Sequence, residues 1–405
     1  MMKVEVQKSL FRGIKYILAI YALLSLIYAS VRLYQRLDSP SLITTSRRSI
    51  VIEEEPVHQK SMQNKAHDVI QSKMFSGIMG QPNISPYYFK ATQVTRSKDI
   101  TLSTIVTKDR FPVLSRLASH YKGPISATVY IHGSDNKDRI LKELSKTYRE
   151  NPEMKKYVDI HLILDAYDRQ FNMWRNVARL YARTDYIMML DIDFFPCTDF
   201  RQEILKDVDL LDRLDTGRTA LVIPAFEYTD LEEGMDSRHF PRTKADLVQQ
   251  VQKGKLDMFH RAWQRGHGST DYVKWYNATA HYSVVDYNYS YEPYVIFKRQ
   301  GAPWCDERFI GYGANKAACL YELYVSGIGY DVLSNHFLIH QSHDYPESTR
   351  RKERLFNRKL YTHFREEVCL RYARQFIADD AWDTARADNL KNECQKIRGF
   401  VRTMQ

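Results

Sequence analysis

Tyr186-Ile187-Met188-Met189-Leu190-Asp191-Ile192-Asp193-Phe194-Phe195-Pro196 is the stretch that decides the fold. Its first five residues are apolar without a break, the pattern of a strand buried on both faces of a parallel sheet. Such strands carry their ligand crevice at the carboxyl end, and there Asp191 and Asp193 stand one residue apart. In extended geometry side chains i and i+2 share a face. Both carboxylates are therefore expected to aim at one point, as a divalent cation on a diphosphate requires. A bare D-x-D is common as solvated charge, and its place at the end of a buried strand gives it meaning.

Outward from this strand the chain alternates. Ile100 to Val106, Ile125 to Ile131 and Val158 to Leu164 read as strands, and Phe111 to Tyr121, Asp138 to Arg149 and Phe171 to Ala182 as helices. Strand, helix, strand in succession predicts an α/β fold around a parallel sheet with right-handed crossovers. The helix before Tyr186 carries two stripes at helical spacing: Phe171, Trp174, Val177, Ala178 and Tyr181, then Asn172, Arg175, Asn176 and Arg179. Amide and guanidinium groups there suit diphosphate oxygens, so Asn172, Arg175 and Asn176 are candidate donor contacts, and Arg179 is read as a solvated charge.

Further on, Leu221 to Phe226 reads as another buried strand, and Asp230 to Asp257 as a charged lid or loop with a helix. Trp275, Tyr276, Tyr282, Tyr287, Tyr289, Tyr291 and Tyr294 read mainly as core or strand pairs. Phe356, Leu360, Phe364, Val368 and Tyr372, at intervals of four, mark a terminal helix with Arg354, Arg358, Lys359, Arg365 and Arg371 on its other faces.

The 405 residues are 44% hydrophobic, enough for a sizeable core, and carry a net charge of +10. That charge suits acidic partners. Without zinc-finger spacing, a homeodomain-like pattern or an RNP-type aromatic motif, nucleic acid is not expected among them. Tyr16 to Val31 lacks formal charge and spans roughly 24 Å as a helix, long enough for a thin bilayer. Lys3, Lys8, Arg12 and Lys15 precede it, and Arg32, not a cleavage site, follows. The expected organisation is a cytosolic tail (1–15), a transmembrane signal anchor (16–32), a stem (33–98) and one luminal catalytic domain (99–405). The protein would then be a single-pass type II protein of Golgi or ER membranes. Cys197, Cys305, Cys319, Cys369 and Cys394 all fall on the luminal side, where at most two bridges of open connectivity can form. So do sequons at Asn83, Asn277 and Asn288.

A series of segments resembles one family closely. It comprises Arg175-Asn-Val-Ala-Arg179, Asp191-Ile-Asp193-Phe-Phe-Pro196, Thr270-Asp-Tyr272 with Trp275, and Glu292-Pro-Tyr294. Asp306-Glu-Arg-Phe309, Gly311-Tyr-Gly313, Asn315-Lys316, Glu322-Leu323, Val332-Leu-Ser-Asn335 and Phe337-Leu-Ile-His340 follow in order. In this order they resemble the LARGE-like and β-1,4-glucuronyltransferase group, family 49 of the sequence-based glycosyltransferase classes. The resemblance implies a GT-A fold, a Rossmann-like mixed sheet flanked by helices. It also implies Mn2+ or another divalent cation, a UDP-sugar donor with UDP-glucuronate first among them, inversion at the anomeric carbon, and a glycan or glycoprotein acceptor. By the same resemblance Asp191, Asp193 and His340 are the metal ligands, with His343 as the second choice of imidazole.

Inverting transfer needs a base for the acceptor hydroxyl, and Asp306 and Glu307 are the candidate catalytic pair, each equally suited to capping a helix that starts near Arg308. Asn315 and Lys316 stand where some other inverting GT-A enzymes carry an acidic pair, which departs from that pattern. With Asp191 and Trp304 they complete the candidate donor-binding set, and Lys298 or Arg299 could face a donor carboxylate. The competing readings are a non-catalytic glycan-binding scaffold that keeps the fold and a retaining hexosyltransferase.

Overall fold

The computed structural model describes residues 83–343 and 350–400. The expected tail, anchor and most of the stem lie outside these residues. Among the described residues no helix is long and apolar enough to cross a membrane. The chain runs β1 (Asn83–Phe89), β2 (Ile100–Val106), α1 (Phe111–Tyr121), β3 (Ile125–His132), α2 (Lys137–Glu150), α3 (Pro152–Tyr157), β4 (Val158–Asp165), α4 (Phe171–Leu180) and β5 (Tyr186–Met189). It continues through β6 (Phe194–Pro196), α5 (Phe200–Lys206), α6 (Val208–Asp215), β7 (Thr219–Ile223), β8 (Ala225–Tyr228), α7 (Lys244–Gln252), β9 (Leu256–Met258), α8 (Tyr272–Asn277), β10 (Tyr282–Ser283) and β11 (Tyr294–Lys298). The last elements are α9 (Asn315–Val325), β12 (Gly329–Val332), β13 (Leu338–His340), α10 (Arg350–Ala378) and α11 (Asp388–Cys394).

A nine-stranded mixed sheet in the order β1-β4-β3-β2-β5-β11-β7-β12-β10 forms the centre. Strands β4, β3, β2 and β5 are mutually parallel, as the alternation requires, and β11 lies antiparallel between β5 and β7. The decisive strand is buried on both faces. Tyr186, Met188 and Leu190 enter the apolar cluster shared with α1 and α2, and Ile187 and Met189 the one shared with α9 and α10. A helical run would not divide its side chains by twos.

Three expectations change. β1 lies within the stretch assigned to the stem and pairs antiparallel with β4, because its register puts Asn83 opposite Leu164 and supplies the outer edge of the sheet. The folded domain therefore begins before residue 99. Leu221 to Phe226 is not one strand: at Pro224, which has no N–H to give a ladder, the chain leaves β7 in the main sheet and enters β8 in a second sheet ordered β6-β13-β8-β9. In α10, Phe364 and Val368 are buried as expected, but Phe356 is 65% exposed. A spacing of four drifts by about 40° per step on a 3.6-residue helix, so the buried stripe runs instead through Asn357, Tyr361, Phe364, Val368 and Phe376.

Disulfides join Cys305 to Cys319 and Cys369 to Cys394, leaving Cys197 as a buried thiol. The first ties the segment after β11 to α9, and the second ties α10 to α11.

Candidate active site

The parallel strands are wound β2, β3, β4 to one side, and β5 returns to the other side of β2. This is a topological switch point, the crevice where doubly wound sheets bind ligands. Asp191 to Asp193 follow β5 directly into it. They do not remain extended: the Phe194 N–H bonds the Asp191 carbonyl at 3.0 Å, closing a tight turn. The expected i, i+2 convergence of carboxylates is therefore replaced by two separate environments.

Asp191 receives the Tyr294 hydroxyl at 2.9 Å, Lys316 Nζ at 3.1 Å and Arg175 Nη2 at 3.4 Å. Desolvation alone would raise its pKa, but the charges of Lys316 and Arg175 and the bonds from Lys316 and Tyr294 hold the carboxyl well below the usual range. Lys316 also sits over the Tyr294 ring, 3.3 Å from its centroid, and burial lowers its ammonium pKa. Glu292, whose carboxylate takes the Ala317 N–H near the start of α9, faces Lys316 and Arg175, and burial raises its pKa. Sequence reading missed Glu292 as a site residue, although Glu292-Pro-Tyr294 carried the resemblance.

Asp193 lies 2.8 Å from Arg110 Nε and 3.2 Å from His343 Nε2. His340 is brought to the same place by register, since β13 pairs with β6 so that His340 lies opposite Phe194. It is 6% exposed, its ring is 5.4 Å from that of His343, and burial pushes its pKa down to about 4 despite the Asp193 charge. A neutral imidazole beside two carboxylates is a donor set that suits a divalent transition metal. As arranged, however, no group of three His, Cys, Asp or Glu among the described residues converges on one metal position. Each carboxylate is instead matched by basic side chains.

The polar stripe of α4 is buried along its length. Asn172 Nδ2 donates to the carbonyls of Asp306 and Asn315, both at 2.9 Å, and Arg175 Nη1 reaches Asn172 Oδ1 at 2.9 Å and Asn315 Oδ1 at 2.7 Å. Asn176 binds the backbone of Cys305 and, at 3.2 Å, the carboxylate of Glu307. Arg179 is 5% exposed, which overturns its reading as a solvated charge. It donates to the carbonyls of Arg299, Ala302 and Pro303 and lies over Trp304, 4.3 Å from the ring centroid, covering one face of that indole. The stripe thus fixes the segment between β11 and α9 against the sheet, with Arg175 alone reaching from that segment to Asp191.

Of the candidate base pair, Asp306 accepts the Arg308 N–H at 2.8 Å and both Nε and Nη2 of its guanidinium, but it caps no helix, because the chain makes a turn at Glu307 and Arg308 where a helix was expected. Glu307 is buried beside Asn176. Lys298 pairs in register with Tyr186, at the amino end of β5, and Arg299 follows it. Both therefore sit at the opposite edge of the sheet from Asp191, which removes them as partners of a donor in the crevice.

A sequence profile described as "Glycosyl-transferase for dystroglycan" matches residues 99–170 and 165–373. The chain is similar to the xylosyl- and glucuronyltransferase LARGE1 of Homo sapiens, with 31% identity over 288 residues, 68% of this chain and 36% of that protein. It is also similar to LARGE2s of Danio rerio, 33% identical over 60% of this chain and 32% of that protein. LARGE2 of Mus musculus is 34% identical over 60% and 34%. The chain therefore spans about a third of the length of these relatives. Among solved structures, GalNAc-T7 with UDP, GalNAc and Mn2+ superposes with a TM-score of 0.37 at 11% identity, over 65% of this chain and 48% of that one. On the extent of the profile match, the chain belongs to the family of glycosyl-transferases for dystroglycan.

Proposed function

We propose that this protein is an inverting, metal-dependent glycosyltransferase with a GT-A fold that moves a sugar, glucuronate first among the candidates, from a UDP-sugar to a glycan acceptor. The observation that carries this reading is the Asp191 to Asp193 turn, held at the carboxyl end of β5 at the switch point with His340 opposite Phe194. Asp193 and His340, with Asp191 or His343, would hold Mn2+, whose charge offsets that developing on the departing diphosphate. Arg175 and Lys316 fix Asp191 and add positive potential to the same crevice. Of the acidic pair, Glu307 is the better base, because Asp306 is already engaged by Arg308. The base takes the acceptor hydroxyl proton as that oxygen attacks the anomeric carbon, and the bond to the UDP oxygen breaks with inversion.

The proposed organisation is a tail, an anchor, a stem that ends before β1 and a luminal domain from β1 onward, in Golgi membranes. The two disulfides, which persist in oxidising compartments, support the luminal placement. The test is UDP release from a panel of UDP-sugars by the full chain in detergent with Mn2+. Glucuronate transfer that survives Asp193→Ala at the wild-type rate defeats the proposal.

A further inference from the structure

Four cationic or imidazole groups stand against the paired aspartates, and they are not equivalent. Arg175 is fixed from several sides by Asn172, Asn315 and Asp191, and Lys316 is buried between Asp191 and the Tyr294 ring. His343 holds Oδ2 of Asp193 from beyond β13. Arg110 differs from all of these. It follows β2 within four residues, so it stands at the carboxyl end of the strand that forms the other wall of the switch-point crevice. Its Nε holds Oδ1 of Asp193 at 2.8 Å, and its Nη1 is tethered at 2.8 Å to Asp109, a carboxylate with 61% of its side chain exposed. Its own side chain is 21% exposed, so it can reach a ligand in the crevice.

A guanidinium on a carboxylate oxygen competes directly with a metal ion for that oxygen, and the same fork suits the oxygens of a diphosphate. We infer that Arg110 is an exchangeable counter-ion: it holds Asp193 until a divalent cation and nucleotide enter, and then transfers from the carboxylate to the diphosphate. Asp109 is the hinge of that movement, keeping the guanidinium at the crevice in both positions. The inference rests on the proposed metal-nucleotide site and goes further by giving Arg110 opposite effects on its two ligands.

The experiment is titration calorimetry of the full chain in detergent, with MnCl2 alone and then with UDP in saturating Mn2+, on wild type, Arg110→Ala and Arg110→Lys. Arg110→Ala is expected to bind Mn2+ alone several-fold more tightly, because the competitor is gone. It should bind UDP about tenfold more weakly, because a charge-assisted partner of the diphosphate is lost. Arg110→Lys, which keeps the charge without the fork, should fall between the two for both ligands. Thermal melting of each variant without ligand identifies a folding defect, in which case the inference is judged on Arg110→Lys. Losses in both affinities, or no change in either, overturn the inference while leaving the metal site intact. A wild-type chain that binds neither Mn2+ nor Mn2+ with UDP overturns the proposed function itself and this inference with it.

Discussion

Asn176 and Cys305 bond each other twice: the amide Oδ1 accepts the Cys305 N–H at 3.0 Å, and Nδ2 donates to the Cys305 carbonyl at 2.8 Å. A side chain here stands in for a neighbouring strand. It satisfies both backbone groups of a residue that lies in no sheet, at the point where the segment after β11 turns toward the crevice. Asn176→Ala leaves both groups buried without a partner, and the expected cost is about 2–4 kcal/mol in urea unfolding. Asn176→Asp should cost at least as much, since it removes the donor and sets a second carboxylate against Glu307. Full stability in either variant would show that the segment is held elsewhere.

How far the sequence reading reached follows from the range of the forces involved. Local periodicity settles elements, so β2 and α1 coincide with their expected bounds and β5 alternates between two cores as its unbroken apolar run implied. Pairing across the chain is not local, and neither the edge position of β1 nor the change of sheet at Pro224 left a periodic signal. At the site, residue types were legible and their partners were not. Asn172 and Asn176 were read as ligand-facing, yet their amides are taken up by backbone of the 305–315 segment. Arg179 looked solvated because charge usually is, yet carbonyls more than a hundred residues away bury it. Arg110 had no motif at all, and only the closeness of β2 to β5 reveals it.

Protonation of one buried imidazole should cost this fold stability as the pH falls. His336 is 3% exposed, and burial together with the nearby His281 pushes its pKa down to about 4. The unfolded imidazole takes up its proton near pH 6.5, the folded one near pH 4. Stability is thus fully present above pH 6.5 and falls as pH drops toward 4, by about 2–3 kcal/mol from this residue. Urea midpoints at pH 7, 5.5 and 4.5 should show that slope in wild type and a shallower one in His336→Gln. Parallel slopes would mean that His336 is protonated in the fold.

Reduction should act through α10 and α11. The Cys369–Cys394 bridge closes 25 residues of sequence, and replacing both by Ala is expected to cost roughly 3 kcal/mol. Dithiothreitol should lower the melting temperature of wild type by more than that of the double variant. Cys197 should behave differently: burial raises its thiol pKa far above normal, so iodoacetamide should label it in denaturant and spare it in the folded protein. Rapid labelling under native conditions would contradict the burial of this thiol.

Lys316 faces both Asp191 and Glu292, with Arg175 as the second cation near the pair, and a double-mutant cycle isolates the Lys316–Glu292 coupling. Lys316→Met removes the ammonium and leaves the two carboxylates to repel each other, with Arg175 as the remaining positive neighbour. A cost of about 2–4 kcal/mol is expected, softened on the Asp191 side by the 34% exposure of that side chain. Glu292→Gln keeps the acceptor for the Ala317 N–H and discards the charge, so alone it should change little. Introduced into Lys316→Met it should be stabilising, because the charge it removes is no longer matched. Urea unfolding of the four proteins at pH 7 should give a coupling of about 1 kcal/mol or more, little altered by salt because the groups are largely screened from solvent ions. Additivity within about 0.5 kcal/mol would mean that Lys316 serves Asp191 alone and that Glu292 is simply the cap of α9.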